Sequence, residues 1–254
     1  MRKLDQNITL IIYKIGAWSA LVTAFIFRRN MDAEYYLFHE MGVFTGSISS
    51  APDTVAEWIY LMQNHPVLGL ILMNALDLIN FFLVGIIFIS IIIVLWNKHP
   101  YLMGISALMT LAAIVYFFIT NQAFAFYRLS QELIQIDTSQ QALYYDQAES
   151  LLQIHYSNHY SPNSIYPSYL LITLAGLFLA SQMLKSIAFT KTCAVMGILA
   201  NAIALSYWGF HFLYSDLEYI APAISAIFLL IWYILIGVQL LNYTKSLAQI
   251  NNQT

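Results

Sequence analysis

Residues 72–98 of the chain read LMNALDLINFFLVGIIFISIIIVLWNK, and this stretch decides the class of the fold. Apolar side chains dominate from Phe81 to Trp96, and the apolar run extends back to Pro66 with Asp77 as its one charged residue. About twenty apolar residues in a helix cross the hydrocarbon core of a bilayer. The stretch therefore predicts a membrane-spanning helix over residues 66–96, and Lys98 marks the end that faces the cytoplasm.

The composition of the whole chain also indicates a membrane protein. Of its 254 residues, 60% are hydrophobic and 9% are charged, whereas a soluble domain carries roughly 25% charged residues. Six segments are long and apolar enough to cross a bilayer as helices, and they cover residues 8–27, 66–96, 101–125, 167–185, 192–213 and 221–242. We therefore predict an all-α fold, a polytopic membrane protein in which a bundle of six transmembrane helices forms a single domain over residues 1–254.

Basic residues near the ends of the spans predict the orientation, because cytoplasmic loops carry an excess of lysine and arginine. If the amino terminus is cytoplasmic, the inner segments carry Arg2, Lys3, Lys98, Lys185, Lys191 and Lys245. The outer segments then carry Arg28, Arg29 and Arg128. Both termini are therefore predicted to be cytoplasmic, with residues 28–65 and 126–166 forming two outer loops.

Each predicted outer loop carries a short amphipathic helix. In the first loop, the sequence TVAE from Thr54 to Glu57 fits a capping box, which starts a helix that ends before Pro66. In the second loop, apolar side chains recur at helical spacing after Thr138. These side chains, with a histidine at the end of the same stripe, are Tyr144, Ala148, Leu151, Leu152 and His155.

Polar residues in the outer halves of the spans are the candidate site. Asn74, Asp77 and Asn80 are spaced i, i+3 and i+6, so one continuous helix would place them on one face. Counting about twenty residues outward from Trp96 puts Asp77 in the outer leaflet. The same reckoning puts three residues of other spans at a similar depth, and these are Asn121, Trp208 and His211.

Three interpretations of this polar cluster stay open, the third being a protonated Asp77 with no function. Polar side chains inside a membrane often hydrogen-bond neighbouring helices and fix their packing, at about 1 kcal/mol or less per bond. An intramembrane carboxylate is also a default indication of a functional site. On the second interpretation the six residues line an outward-facing pocket for a small ligand or lipid.

No signature of a common cofactor or of a nucleophilic catalyst occurs in the chain. Cys193 is the only cysteine, so an intrachain disulfide or a thiolate metal cluster is excluded, and no basic patch indicates nucleic acid. His155 and His159 have i, i+4 spacing, and His39 and His65 lie on the same predicted side. A lone pair of histidines is weak support for a metal site, so we predict no metal, no cofactor and no catalytic residue.

Several segments from the third span onward carry a family resemblance. They are NQAF at 121–124 followed by LSQE, SYLLITLAGLFLASQMLKS at 168–186, FTKTCAVMGILANAIAL at 189–205 and LLIWYILIGVQLL at 229–241. On these segments the chain resembles the bacterial integral-membrane family called domain of unknown function 4386. The resemblance implies a six- or seven-helix protein of the bacterial inner membrane, and it brings no known activity.

Three functions are compared. The first is a non-enzymatic membrane protein whose outward-facing pocket binds a small ligand or lipid, as a sensor, accessory subunit or carrier. The second is a metal-dependent intramembrane hydrolase that uses outer-face histidine and aspartate to activate water. The third is a secondary transporter, which short or broken helices near the membrane midplane would support. Pro66, Pro167 and Pro222 all lie at span beginnings, so the sequence predicts no broken helix and favours the first function.

Overall fold

A computed structural model describes the backbone of residues 3–40, 52–156, 164–213 and 220–253, and the side chains of residues 7–26, 52–137, 139–155, 164–207 and 224–249. The described ranges are helical and contain no strand. In chain order the helices are α1 (Lys3–Glu40), α2 (Val55–Asn64), α3 (Pro66–Leu72), α4 (Ala75–Leu95), α5 (Pro100–Thr120), α6 (Ala123–Glu132), α7 (Thr138–Tyr156), α8 (Tyr166–Met183), α9 (Lys191–Leu213) and α10 (Ile220–Gln253). The predicted all-α class is confirmed.

Within the described ranges, four helical regions are long and apolar enough to cross a membrane. They are Asn7–Ile26, Ala75–Leu95, Pro100–Gln135 and Ile224–Gln249. The predicted spans 167–185 and 192–213 correspond to the helices α8 and α9, and Lys191–Tyr207 is the apolar segment of α9 within the described side chains. The chain is therefore a membrane-embedded helical protein.

Two helices extend beyond the predicted boundaries. Helix α1 continues to Glu40, into the segment 28–65 that was predicted to be a loop, and α10 continues from the predicted end at residue 242 to Gln253. Both extensions lack proline and glycine, so nothing in their sequences stops a helix where the apolar run ends. Hydropathy therefore predicts the part of a helix that lipid can cover, but it does not predict the residue at which the helix ends.

The predicted continuous helix over residues 66–96 is wrong. Helix α3 ends at Leu72, and Asn74 has φ 57°, which is the left-handed region of backbone space. Asparagine tolerates this conformation better than most residues with a Cβ atom. Asn74 therefore lies in a turn and not on a helical stripe with Asp77 and Asn80, which both belong to α4.

The predicted span 101–125 is interrupted as well. Helix α5 ends at Thr120, and α6 begins at Ala123 after two non-helical residues, Asn121 and Gln122. Gln122 has φ −98° and ψ 7°, which does not continue a helix. The prediction of one helix over residues 101–125 is therefore wrong, because the helix is interrupted at Asn121 and Gln122.

The chain divides into two compact units. Unit 1 consists of Met1–Arg28, Phe82–Ile114 and Leu170–Thr254, and unit 2 consists of Arg29–Phe81 and Val115–Tyr169. The predicted single domain over 1–254 stays a prediction.

Close helix approaches hold unit 1 together. A Cβ atom added at Gly197 of α9 would lie 2.4 Å from Cε2 of Trp232 on α10, so the indole ring rests on the α9 backbone. The Ser225 hydroxyl of α10 also donates a hydrogen bond to the Ala200 carbonyl of α9, at 2.9 Å. Small residues let helix backbones approach closely. In lipid no hydrophobic effect drives helices together, so this close van der Waals packing stabilises their association.

Four helices, α2, α3, α6 and α7, build the core of unit 2. Their fully buried side chains include Leu61, Met62, Leu68, Met73, Phe126 and Ala148. Two glutamines join α2 to α6, because Gln63 donates to the Ser130 carbonyl at 2.8 Å and Gln131 donates to the Met62 carbonyl at 3.1 Å.

Both short helices predicted for the outer loops are confirmed as helices. At the start of α2, the Thr54 hydroxyl accepts from the Glu57 amide at 3.3 Å, and the Glu57 carboxylate accepts from the Thr54 amide at 3.2 Å. On α7, Ala148 and His155 are fully buried, as the helical spacing predicts. Their location outside the membrane stays a prediction.

The approach at Gly197 predicts a specific intolerance. The substitution Gly197→Ala is expected to lower the free energy of unfolding by about 1–3 kcal/mol, because its methyl group overlaps Trp232 and also approaches Ala180 Cβ at 2.8 Å. Gly104 on α5 has no heavy atom within 4 Å of an added Cβ, so Gly104→Ala is the matched control and is expected to be neutral or stabilising. Thermal unfolding of the two detergent-purified variants measures the difference, and equal midpoints would contradict the packing described here.

Candidate functional site

The two helix breaks of unit 2 are hydrogen-bonded to each other. The Asn121 side-chain Nδ2 donates to the Asn74 carbonyl at 3.2 Å, and its Oδ1 accepts from the Ala123 amide at 3.1 Å. One asparagine side chain therefore closes the turn before α4 and supplies an acceptor to the first free amide of α6. The predicted proximity of Asn74 and Asn121 is seen, through a contact between side chain and backbone.

Asp77 lies in the first turn of α4 and is bound by a phenol. Its backbone amide donates to the Asn74 carbonyl at 3.1 Å, and its Oδ2 accepts from the Tyr169 hydroxyl at 2.5 Å. The side chains of Asp77 and Tyr169 are both half-buried.

Two aromatic rings position the phenol. The rings of Phe81 and Phe117 are stacked, with centroids 4.1 Å apart and an angle of 5° between their planes. The Tyr169 ring meets both edge-on, with centroid distances of 5.2 Å to Phe81 and 5.6 Å to Phe117. Stacked and edge-to-face contacts are the favoured aromatic geometries. They fix the direction from which the Tyr169 hydroxyl reaches Asp77.

Asn80 adds a buried acceptor one turn along α4 from Asp77. Its side chain is 8% exposed, and it interacts with the Asp77 carboxylate. Its Oδ1 has no hydrogen-bond partner within the described residues. Leaving a buried carbonyl oxygen unpaired costs about 1–3 kcal/mol.

His155 of α7 is tied to the second break. The Gln122 backbone amide donates to His155 Nδ1 at 3.2 Å, so the proton of the neutral ring sits on Nε2. Burial lowers the pKa of His155 from its usual 6.5 to about 4. The ring is therefore held neutral, and Nδ1 is already used by the backbone.

The histidines do not form a metal site in the part of the chain that the structure describes. No group of three or more His, Cys, Asp or Glu side chains comes together there. His65 lies at the junction of α2 and α3, while His159 and the side chain of His39 lie outside the described residues. The described side chains therefore provide no set of metal ligands that would support the hydrolase interpretation.

The predicted site residues divide into two groups. Asp77, Asn74, Asn80 and Asn121 lie together in unit 2 around the two breaks. Trp208 and His211 lie on the backbone of α9, and their side chains are outside the described residues, so their part in a cluster stays a prediction.

Sequence reasoning missed Tyr169 and the aromatic rings behind it. Tyr169 ends the tyrosine-rich tract HYSNHYSPNSIYPSY at residues 155–169, and nothing in its spacing distinguishes it from the other tyrosines there.

The bond between Tyr169 and Asp77 is testable by a double-mutant cycle. Tyr169→Phe keeps the ring and removes the hydroxyl, so it is expected to lower the free energy of unfolding by about 1–3 kcal/mol. In the Asp77→Leu background the same change should cost less, by about 1 kcal/mol or more. Tyr101→Phe, at a residue that is 88% exposed, is the control. Additive effects in denaturant unfolding would show that the two side chains do not interact.

His155 predicts a pH dependence of stability. Between pH 6.5 and about 4 the unfolded chain binds a proton that the folded chain does not, so the free energy of unfolding falls as the pH is lowered through this window. The full loss is about 3 kcal/mol. His155→Gln can still accept from the Gln122 amide and does not titrate. Unfolding measured from pH 8 to pH 4 should therefore show a shallower slope for the variant, and parallel slopes would contradict the assignment.

Comparison with known proteins, made against family models, curated proteins and solved structures, finds no match to this chain in any of the three.

Proposed function

We propose that the chain is a six-span protein of the bacterial inner membrane, with both termini in the cytoplasm and the short helices α2 and α7 on the outer side. Two observations support this. The 18 residues of α8 extend about 27 Å as a helix, close to the thickness of the hydrocarbon core. The distribution of lysine and arginine favours the same orientation. The resemblance to domain of unknown function 4386 agrees with it and adds no activity.

We infer that the protein is not an enzyme and that it binds a small ligand or lipid next to Asp77, as a sensor, accessory subunit or carrier. The observation that carries this is the unpaired Oδ1 of Asn80, beside a carboxylate in the first turn of an apolar helix. In an apolar segment, a carboxylate and an unpaired amide oxygen each destabilise the protein when no ligand is bound. A bound ligand that donates hydrogen bonds would offset that loss.

Ligand binding at Asp77 is tested by thermal unfolding of the detergent-purified protein across a panel of lipids and metabolites. A ligand should raise the unfolding midpoint of the wild type, and Asp77→Asn should abolish that shift while keeping an oxygen that accepts from Tyr169. Asp146→Asn, which removes a carboxylate from α7, is the matched control and should keep the shift. If every ligand-induced shift survives in Asp77→Asn, the site is elsewhere.

The helix breaks favour one second candidate, a secondary transporter. Interrupted helices with free backbone groups form the substrate and ion sites of many transporters. The sequence argument against broken helices did not anticipate the turn at Asn74 or the break at Asn121, which are bonded to each other. Reconstitution in proteoliposomes discriminates the two functions, because a transporter moves its ligand across the bilayer and a sensor or accessory subunit only binds it.

A further inference from the structure

No described basic side chain forms an ion pair with the carboxyl group of Asp77. Among the described residues the one ion pair is Arg128–Glu132, with Nε and Oε1 3.6 Å apart on the exposed surface of α6. The Tyr169 hydroxyl donates to the Asp77 carboxylate but carries no charge. Shielded carboxylates in proteins are usually paired with a cation. The site therefore calls for a positively charged group from outside these residues.

The acceptors around the site match the donors of an ammonium group. A carboxylate can accept about four hydrogen bonds. The Tyr169 hydroxyl and the Asn80 amide donate some of these bonds to Asp77 and leave the rest available. The unpaired Oδ1 of Asn80, a side chain more than nine-tenths buried, adds an acceptor on the same face of α4. A primary ammonium has three N–H donors and no acceptor. It can bond the carboxylate and this amide oxygen together.

The same surroundings disfavour an inorganic cation. Hard cations such as Ca²⁺ and Mg²⁺ take six or more oxygen ligands. The Asn74 carbonyl already accepts from the Asp77 amide and from Asn121, so it is not a further ligand. The rings of Phe81 and Phe117, which pack against Tyr169, supply no oxygen ligand.

We propose that the site at Asp77, Asn80 and Tyr169 binds a primary ammonium group. The proposal rests on the ligand-binding function proposed above and names the chemical class of its ligand. The ammonium can belong to an aminophospholipid headgroup or to a free amine, and the two sources present the same group to the site.

The test uses the full chain in a neutral detergent and compares ligands that differ at the nitrogen. The probes are phosphatidylethanolamine, phosphatidylcholine and phosphatidylglycerol with identical acyl chains, together with soluble glycerophosphoethanolamine. At about ten times its Kd, phosphatidylethanolamine should raise the unfolding midpoint by about 3 °C or more. Phosphatidylcholine keeps the charge but has no N–H donor, so its affinity should be about tenfold lower.

Two variants separate a binding role from a structural one. Asp77→Asn should abolish the ethanolamine-dependent shift, and Asp146→Asn should keep it. Asn80→Leu removes the unpaired Oδ1 together with the amide that bonds Asp77, so it should reduce the ligand-induced shift. If Asn80 only supported packing, this substitution would change the unliganded midpoint and leave the ligand-induced shift unchanged.

The outcomes distinguish the two proposals. Equal shifts with phosphatidylethanolamine and phosphatidylcholine, or an Asp77-dependent shift with phosphatidylglycerol alone, would overturn the ammonium assignment and leave ligand binding at Asp77 intact. Ligand-induced shifts that are the same in Asp77→Asn as in the wild type would overturn both the ammonium assignment and ligand binding at Asp77. A shift with glycerophosphoethanolamine identifies a soluble amine, and a shift with the lipid alone identifies the headgroup of a membrane lipid. The wild-type ligand series decides the chemical class even if a variant fails to fold.

Discussion

A backbone break inside an apolar segment leaves amides and carbonyls that lipid cannot satisfy, and unit 2 is arranged around this constraint. Helix α3 stops before Asn74, and α5 stops before Asn121. The Asn121 side chain spans from one break to the other, and His155 accepts the amide of Gln122. With these groups paired, α4 can start at Ala75 and present Asp77 in its first turn. The carboxylate, the phenol and the unpaired amide oxygen all depend on where that helix begins.

Unit 1 follows simpler rules. Its core consists of apolar side chains and small residues, and helices meet where glycine or alanine permits close approach, as at Gly197 under Trp232. The Ser90 hydroxyl donates to the Ile12 carbonyl, the Ser225 hydroxyl donates to the Ala200 carbonyl, and Gln239 exchanges two hydrogen bonds with Thr190. Such contacts hold helices in register, and the described side chains of unit 1 include no carboxylate.

Particular residues show how far prediction from sequence extended. The capping box at Thr54 was predicted in atomic detail, because both of its hydrogen bonds join residues three apart and depend on local backbone geometry alone. The buried stripe of α7 was predicted because helical periodicity is also local. The break at Asn74 was missed, since asparagine tolerates both helix and left-handed turn, and neighbouring helices decide between them. Tyr169 was missed because it lies 92 residues from Asp77 in the chain.

The sequence by itself determined that this chain is helical and membrane-embedded, that Asp77 stands near one end of an apolar helix, and that asparagines share its neighbourhood. These properties follow from hydropathy, length and charge, which act on each segment independently of the others. The tertiary structure alone decided that the predicted second span is two helices, that Asn121 supports the turn at Asn74, and that a tyrosine and not a basic side chain meets Asp77. These three features depend on distances between segments that are far apart in sequence. A buried amide or carboxylate needs a hydrogen-bond partner in place of water, and the packing of the helices determines which partner is within reach.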